Sequence, residues 1–79
     1  MKNTYMIYVN ERSIIVTKEE FMELLDYYEE KFNHNHTIET KVGTDEVCEV
    51  RRYPKCETEF WLKSEDYTGL VNAIRDLEK

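Results

Sequence analysis

The chain has 79 residues, enough for one hydrophobic core and too few for two, so we expect a single domain over residues 1–79. Seventeen acidic residues against 11 lysines and arginines give a formal net charge of −6, which argues against general attraction to nucleic-acid phosphates or anionic lipid. No apolar run approaches the roughly 20 residues of a membrane span and no secretory leader pattern occurs, so a cytoplasmic protein is expected.

The first predicted element is an antiparallel hairpin in the segment TYMIYVNERSIIVT. Two runs rich in β-forming residues flank Asn10 and Glu11, which would form a two-residue loop. Such a loop places alternate side chains on opposite faces of the hairpin. One face would carry Ile7, Val9, Ile14 and Val16, and the other Met6, Tyr8 and Ile15.

A helix is predicted to follow the hairpin. Thr17 and Glu20 have the spacing of a capping box, and Val16 with Phe21 has the spacing of a hydrophobic staple. Apolar side chains then recur at helical intervals and predict a core-facing stripe. Its members are Phe21, Leu24, Leu25, Tyr28 and Phe32. The polar residues 33–35 are expected to end the helix.

The second half of the chain predicts three more strands and a final helix. From about His36 the apolar period changes to two, and the turn signals GTD and Pro54 divide the segment into a meander. Ser64 is predicted to cap the last helix. Its buried side would consist of Tyr67, Leu70, Val71, Ile74 and Leu77. We therefore predict an α+β domain in the order ββαβββα, an antiparallel sheet with two helices packed on one face.

Chemistry-bearing residues are few. His34, His36, Cys48 and Cys56 lack the spacing of zinc modules, so exposed loop histidines, no metal and no cofactor are expected. If the second hairpin turns at residues 53–55, Cys48 lies opposite Phe60 and both thiols remain reduced, because they would lie about 13 Å apart. No nucleophile or phosphate-loop motif occurs, so the protein is not expected to be an enzyme.

The first helix carries the main functional signal. Glu19, Glu23, Asp26 and Glu30 recur at i, i+4, i+7 and i+11 and would form an acidic stripe beside the apolar one. Their mutual repulsion costs on the order of 1 kcal/mol at low salt, so the arrangement opposes local stability. Tyr27 lies among these acids, and tyrosine is enriched at binding hot spots. A partner-binding face and a merely solvated acidic face are both consistent with this pattern.

Two further surfaces are candidates. On the register above, Met6, Tyr8, Ile15, Val47 and Trp61 point away from the core, which would create a second interface, suited to a homodimer, unless the last helix covers it. The basic segment RRYPK offers a weak nucleic-acid site or an ordinary polar turn. Its cations are Arg51, Arg52 and Lys55.

In size, acidity and absence of catalytic motifs, together with the tyrosine-rich helix LLDYYEEKF, the chain resembles small phage-encoded inhibitors such as the anti-CRISPR proteins. The resemblance covers overall character only. It implies a non-enzymatic protein that occupies the basic, nucleic-acid-binding surface of a host defence complex. Contact with a basic protein partner, and not with nucleic acid or membrane, is therefore the first functional hypothesis. A structural homodimer using the Trp61 surface and a weak nucleic-acid binder are the alternatives.

Overall fold

A computed structural model describes residues 3–32, 36–43 and 45–77. Within these ranges, five strands and two helices follow the order ββαβββα, which confirms the predicted α+β class. They are β1 (Asn3–Val9), β2 (Arg12–Val16), α1 (Lys18–Lys31), β3 (Thr37–Val42), β4 (Val47–Tyr53), β5 (Thr58–Ser64) and α2 (Tyr67–Leu77). Neither of these helices combines the length and apolar character needed to cross a membrane.

The strands form one antiparallel sheet in the order β2-β1-β5-β4-β3. β5 is therefore the central strand, while β2 and β3 form the two edges. Both helices pack on one side of the sheet, where Phe21 and Leu70 join a buried cluster with Tyr5 and Leu62. We call this side the helix face and the opposite side the open face.

Aromatic rings fill the middle of the helix face. Phe60, on the central strand, is almost fully buried and lies 5.4 Å from Phe21, 5.2 Å from Tyr28 and 5.6 Å from Tyr53 between ring centroids. All three contacts are edge-on, the arrangement that the aromatic quadrupole favours. Phe60 thus connects α1 to β4 and β5 through one packed cluster.

The β1–β2 hairpin has the predicted two-residue loop. Asn10 and Glu11 adopt φ values of 50° and 63°, the left-handed pair of a type I′ turn, whose twist matches that of the flanking strands. The resulting register pairs Ile7 with Ile14 and Met6 with Ile15. This confirms the predicted division of side chains between the two faces.

The start of α1 also follows the prediction. Thr17 Oγ1 accepts from the Glu20 backbone N–H, and the Glu20 carboxylate accepts from the Thr17 N–H, which completes the capping box. Phe21 and Leu25 are buried as expected. Leu24 is 40% exposed, so its predicted place in the core is wrong. The cause is the position of α1, which leaves the flank beside β2 uncovered.

The predicted register between β4 and β5 is wrong by three residues. Pro54–Cys56 forms a 3₁₀ turn and Glu57 closes it with φ 51°, so Tyr53 pairs with Thr58 and Cys48 with Lys63. An odd shift exchanges the faces of a strand. Val47 consequently lies in the core of the helix face and not on the open face. Cys48 is buried in β4 and Cys56 lies in the turn, both as free thiols.

The final helix begins later than the sequence suggested. Ser64 is the buried last residue of β5, and its Oγ accepts from the Asp66 N–H at 3.3 Å. The Asp66 carboxylate accepts from the Gly69 N–H and performs the capping role predicted for Ser64. Tyr67, predicted on the buried side, is 65% exposed because it stands at the first position of α2.

Candidate functional site

Four carboxylates form a continuous row along the outer side of α1, and we call this row the acidic face. Its members, Glu19, Glu23, Asp26 and Glu30, are all exposed. At about 100° per residue they fall within an arc of about 60°. This arc lies on the opposite side of the helix from the buried Phe21, so the row is farther from the apolar stripe than predicted.

The acidic face is not neutralised by ion pairs within the described part of the chain. Lys18 is the lysine at the start of α1, and its ammonium lies 2.9 Å from Asp76 at the end of α2. Lys31, at the other end of α1, donates to the Tyr27 hydroxyl at 3.1 Å. No ion pair joins any member of the acidic face to a cation of residues 3–32, 36–43 or 45–77.

Tyr27 lies at the border of the acidic face and is half exposed. Its ring packs edge-on against Tyr28, and the Lys31 ammonium lies 5.4 Å from its centroid. The hydrogen bond to the Tyr27 hydroxyl raises the pKa of Lys31 above its ordinary value. The tyrosine is therefore held in place from two sides, which reduces the entropy that a partner contact would cost.

Glu29 belongs to the same helix but not to the acidic face. Its carboxylate accepts from Arg51 at 2.8 Å and from the Tyr53 hydroxyl at 2.7 Å, across the helix-to-sheet interface. Burial favours a raised pKa, but the Tyr53 hydrogen bond and the Arg51 charge together keep the pKa of Glu29 below its ordinary value. Through these hydrogen bonds, Glu29 links the C-terminal end of α1 to β4.

His36 joins this interface from the start of β3. Its ring lies 5.4 Å from the Tyr53 ring, and its Nε2 lies 3.7 Å from the Glu29 carboxylate. The expectation of an exposed loop histidine is therefore wrong for His36, because the ring packs under the end of α1. His34 lies outside the described residues. Within the described ranges, no group of three potential metal ligands occurs.

The predicted basic cluster is divided by the sheet. Arg51 points to the helix face, where it bonds Glu29, while Arg52 points to the open face and contacts Glu39 and Glu59, each at 2.6 Å. Lys55 lies in the exposed 3₁₀ turn. Neighbouring residues of a strand face opposite sides, so Arg51 and Arg52 cannot share one nucleic-acid contact surface on the sheet.

The open face contains the other predicted interface residues. Ile15, Met6 and Trp61 are cross-strand neighbours in one row, and Tyr8 lies beside them on β1. Ile15 is 74% exposed, whereas the other three are partly buried. Of the two alternatives for this surface, the structure excludes the one in which α2 covers it, since the buried Leu70 of α2 packs in the helix-face core.

Charged side chains surround Trp61. The ammonium groups of Lys41 and Lys63 lie 5.2 and 5.8 Å from the centroid of the indole. The indole N–H donates to Glu59 at 3.1 Å, and Glu59 in turn accepts from Arg52. The open face is therefore more polar than the sequence pattern indicated.

No protein-family model, curated protein or solved structure matches the chain. The candidate binding surfaces of the described residues are the acidic face, the open face and the basic cluster. Of these, the acidic face consists of exposed carboxylates that no described cation pairs, whereas the described cations of the sheet are mostly held in ion pairs.

Proposed function

We propose that this protein is a non-enzymatic binding module whose acidic face docks on a basic surface of another protein. The observation that supports the proposal is the row Glu19, Glu23, Asp26 and Glu30, exposed and without ion pairs to the described cations. Over the roughly 17 Å from Glu19 to Glu30, four like charges produce a directional negative field. Such a field accelerates association with a positively charged groove.

The chemistry of the partner follows from the form of this surface. A convex helix fits a concave groove, and basic grooves in proteins commonly hold nucleic acid. Along the acidic face the charges rise by about 4.5–6 Å, against 3.4 Å per phosphate on one DNA strand, so one row is a sparse imitation of the backbone. Two acids of the sheet, Glu49 and Glu59, do not add a second row of negative charge beside the acidic face. Glu49 lies near Arg51, and Glu59 faces the opposite side of the sheet.

The proposal therefore describes an inhibitor that competes for a nucleic-acid site through one edge of negative charge, with Tyr27 as its aromatic anchor. An anti-CRISPR-type inhibitor, which the overall character of the sequence resembles, would act in this way, and that assignment stays a prediction. A homodimer through the open face is the second candidate, favoured by the row of Ile15, Met6 and Trp61 that no described helix covers. We rank it second because such a dimer would have to desolvate the Lys41 ammonium and the ion pairs of Arg52 with Glu39 and Glu59.

The deciding experiment compares two triple charge reversals. The first replaces Glu23, Asp26 and Glu30 by lysine, and the matched control replaces Glu11, Glu57 and Glu65, which are exposed acids outside α1. Both variants change the net charge equally. Immobilised protein is used to capture partners from a host lysate, and captured proteins are identified by mass spectrometry.

We expect the wild type and the control to retain a basic partner that the α1 variant loses. Added wild-type protein should then release nucleic acid from the purified partner, and the release should weaken as salt increases. Equal capture of the partner by all three proteins would exclude the acidic face as the docking surface. Capture without release of nucleic acid would exclude the inhibitor interpretation while preserving the docking surface.

A further inference from the structure

The outer edge of β2 is open in the described structure. The two-residue loop makes Val9 and Arg12 a hydrogen-bonded pair, and bonded and non-bonded pairs alternate along the ladder. The backbone N–H and C=O groups of Ser13 and Ile15 therefore point away from β1. Proteins usually protect such an edge with charged side chains, proline or a bulge. The opposite edge strand carries Glu39 and Lys41, whereas β2 is uncharged after Arg12 and has a continuous register.

An apolar groove of about 180 Å³ runs beside this edge on the helix face, between β2 and α1. Ile14, which is 51% exposed, lines it from β2 and Leu24 lines it from α1, and Val9 and Val16 also belong to its lining. The groove exists because α1 crosses the sheet diagonally. Near the start of α1, Phe21 contacts Tyr5 on β1. At the other end of the helix, Phe32 lies near Tyr53 on β4.

We propose that a second copy of this chain pairs with β2 antiparallel, about a two-fold axis at Ile14. In this register Ser13 of each copy lies opposite Ile15 of the other, so their outward backbone groups satisfy one another. Ile14 meets Ile14 of the second copy as a non-bonded pair, with Cα atoms about 4.5 Å apart. The two isoleucines then close the open sides of both grooves.

Opposite charges near the two ends of β2 favour a second copy of this chain as the occupant of the groove. Arg12 and Val16 point to the same side as Ile14, and the two-fold register places Arg12 opposite Val16 of the second copy. Helix α1 begins at Lys18, two residues after Val16, and its first turn carries Glu20 one turn before Leu24, on the groove side of the helix. Arg12 of each copy thus approaches Glu20 of the other, twice in the symmetric dimer.

Neither of these two charges competes with an ion pair inside the described part of its own chain. Arg12 and Glu20 are exposed, and neither makes an ion pair with the described residues. The Glu20 carboxylate caps α1 through one oxygen, Oε1, which leaves the other available. Strand pairing about this axis joins two five-stranded sheets into one of ten strands and keeps all four helices on one side. Both acidic faces then lie on the same side of the assembly, so the dimer doubles the proposed docking surface.

The test measures oligomeric state by sedimentation equilibrium over a wide protein concentration range. Ser13→Pro removes an outward N–H without removing a bond to β1, and proline is tolerated on edge strands at such positions. Thr40→Pro on the other edge strand is the matched control. We expect a wild-type dimer, a dissociation constant raised at least 100-fold by Ser13→Pro, and little change from Thr40→Pro.

A charge exchange provides a second reading that does not depend on proline. Arg12→Glu should raise the dimer dissociation constant at least tenfold, and adding Glu20→Lys should restore much of the loss, although this change also removes half of the capping box. Circular dichroism verifies that each variant is folded. Restoration in the double variant would identify the Arg12 and Glu20 contact between copies, because no contact within one chain joins them.

A wild type that stays monomeric at every concentration would overturn the proposal, and the groove would then be assigned to an extended segment of another protein. A dimer that survives both Ser13→Pro and Arg12→Glu would also overturn it. Trp61→Ala distinguishes the open face, since a dimer lost in that variant alone uses the opposite side of the sheet.

Discussion

Removing charge from the acidic face should stabilise the protein while it weakens partner binding. The perturbation is the triple replacement Glu23→Gln, Asp26→Asn and Glu30→Gln, which keeps the size of each side chain. Together with Glu19, these residues make three like-charge contacts at i, i+3 or i, i+4 spacing, each costing about 0.2–0.5 kcal/mol. Glu30 also stands in the last turn of α1, where the helix dipole disfavours an acid by about 0.3–1 kcal/mol.

The expected gain in the free energy of unfolding is therefore about 1–2 kcal/mol at low salt. For a domain of this size, each kcal/mol raises the midpoint of thermal unfolding by about 4–8 °C. The assay is thermal unfolding followed by circular dichroism at low salt and again at 1 M salt. Screening over about 3 Å at 1 M should remove most of the gain. Glu19→Gln is the control, since Glu19 lies in the favourable first turn and its replacement should not stabilise.

The opposite signs of the two effects make the experiment decisive. A variant that is more stable yet binds less cannot have lost its partner through misfolding. If the triple variant is no more stable than the wild type at low salt, the acids impose no local penalty, and the argument that binding explains their placement fails.

Three further predictions concern the packing of α1 against the sheet. Tyr53→Phe should lower the free energy of unfolding by about 1.5–3 kcal/mol, because it removes a hydrogen bond to the charged Glu29. Tyr28→Phe is the control and should change the free energy of unfolding little. Equal effects of the two variants in urea unfolding would contradict this prediction. Because the pKa of Glu29 is lowered by folding, its contribution is present above the unfolded pKa of about 4.3 and disappears as pH falls through the folded value. Glu29→Gln should accordingly make stability less dependent on pH below about 5, and an unchanged acid-unfolding curve would count against it. Phe60→Ala should cost about 3–5 kcal/mol by opening a cavity among packed rings, a loss that chemical denaturation measures directly.

Local rules predicted the fold well wherever neighbouring residues determine it. The type I′ loop at Asn10 and the capping box at Thr17 depend on a few adjacent side chains, and both are present as predicted. The β4–β5 register failed because it depends on Glu57, a residue without a strong left-handed preference that nevertheless adopts φ 51°. Because this turn residue shifts the register by three, Val47 was predicted on the wrong face of the sheet.

The surfaces were harder to predict because they depend on how distant segments meet. Spacing alone identified the exposed row on α1, but it could not show that Glu29 is bonded to Arg51, which lies 22 residues away in the sequence. The groove beside β2 had no sequence signal either. Leu24 has correct helical spacing for the core, and only the diagonal course of α1 over the sheet leaves it exposed.

The adjacent arginines of β4 have a consequence for solubility. Arg51 and Arg52 diverge to opposite sides of the sheet, and each is held by carboxylates of its own molecule. Guanidinium groups restrained in this way are poor bridges to the carboxylates of neighbouring molecules. In concentrated solution these arginines would therefore contribute little to ion pairs between molecules, while the exposed acids of α1 stay accessible to cations of other proteins.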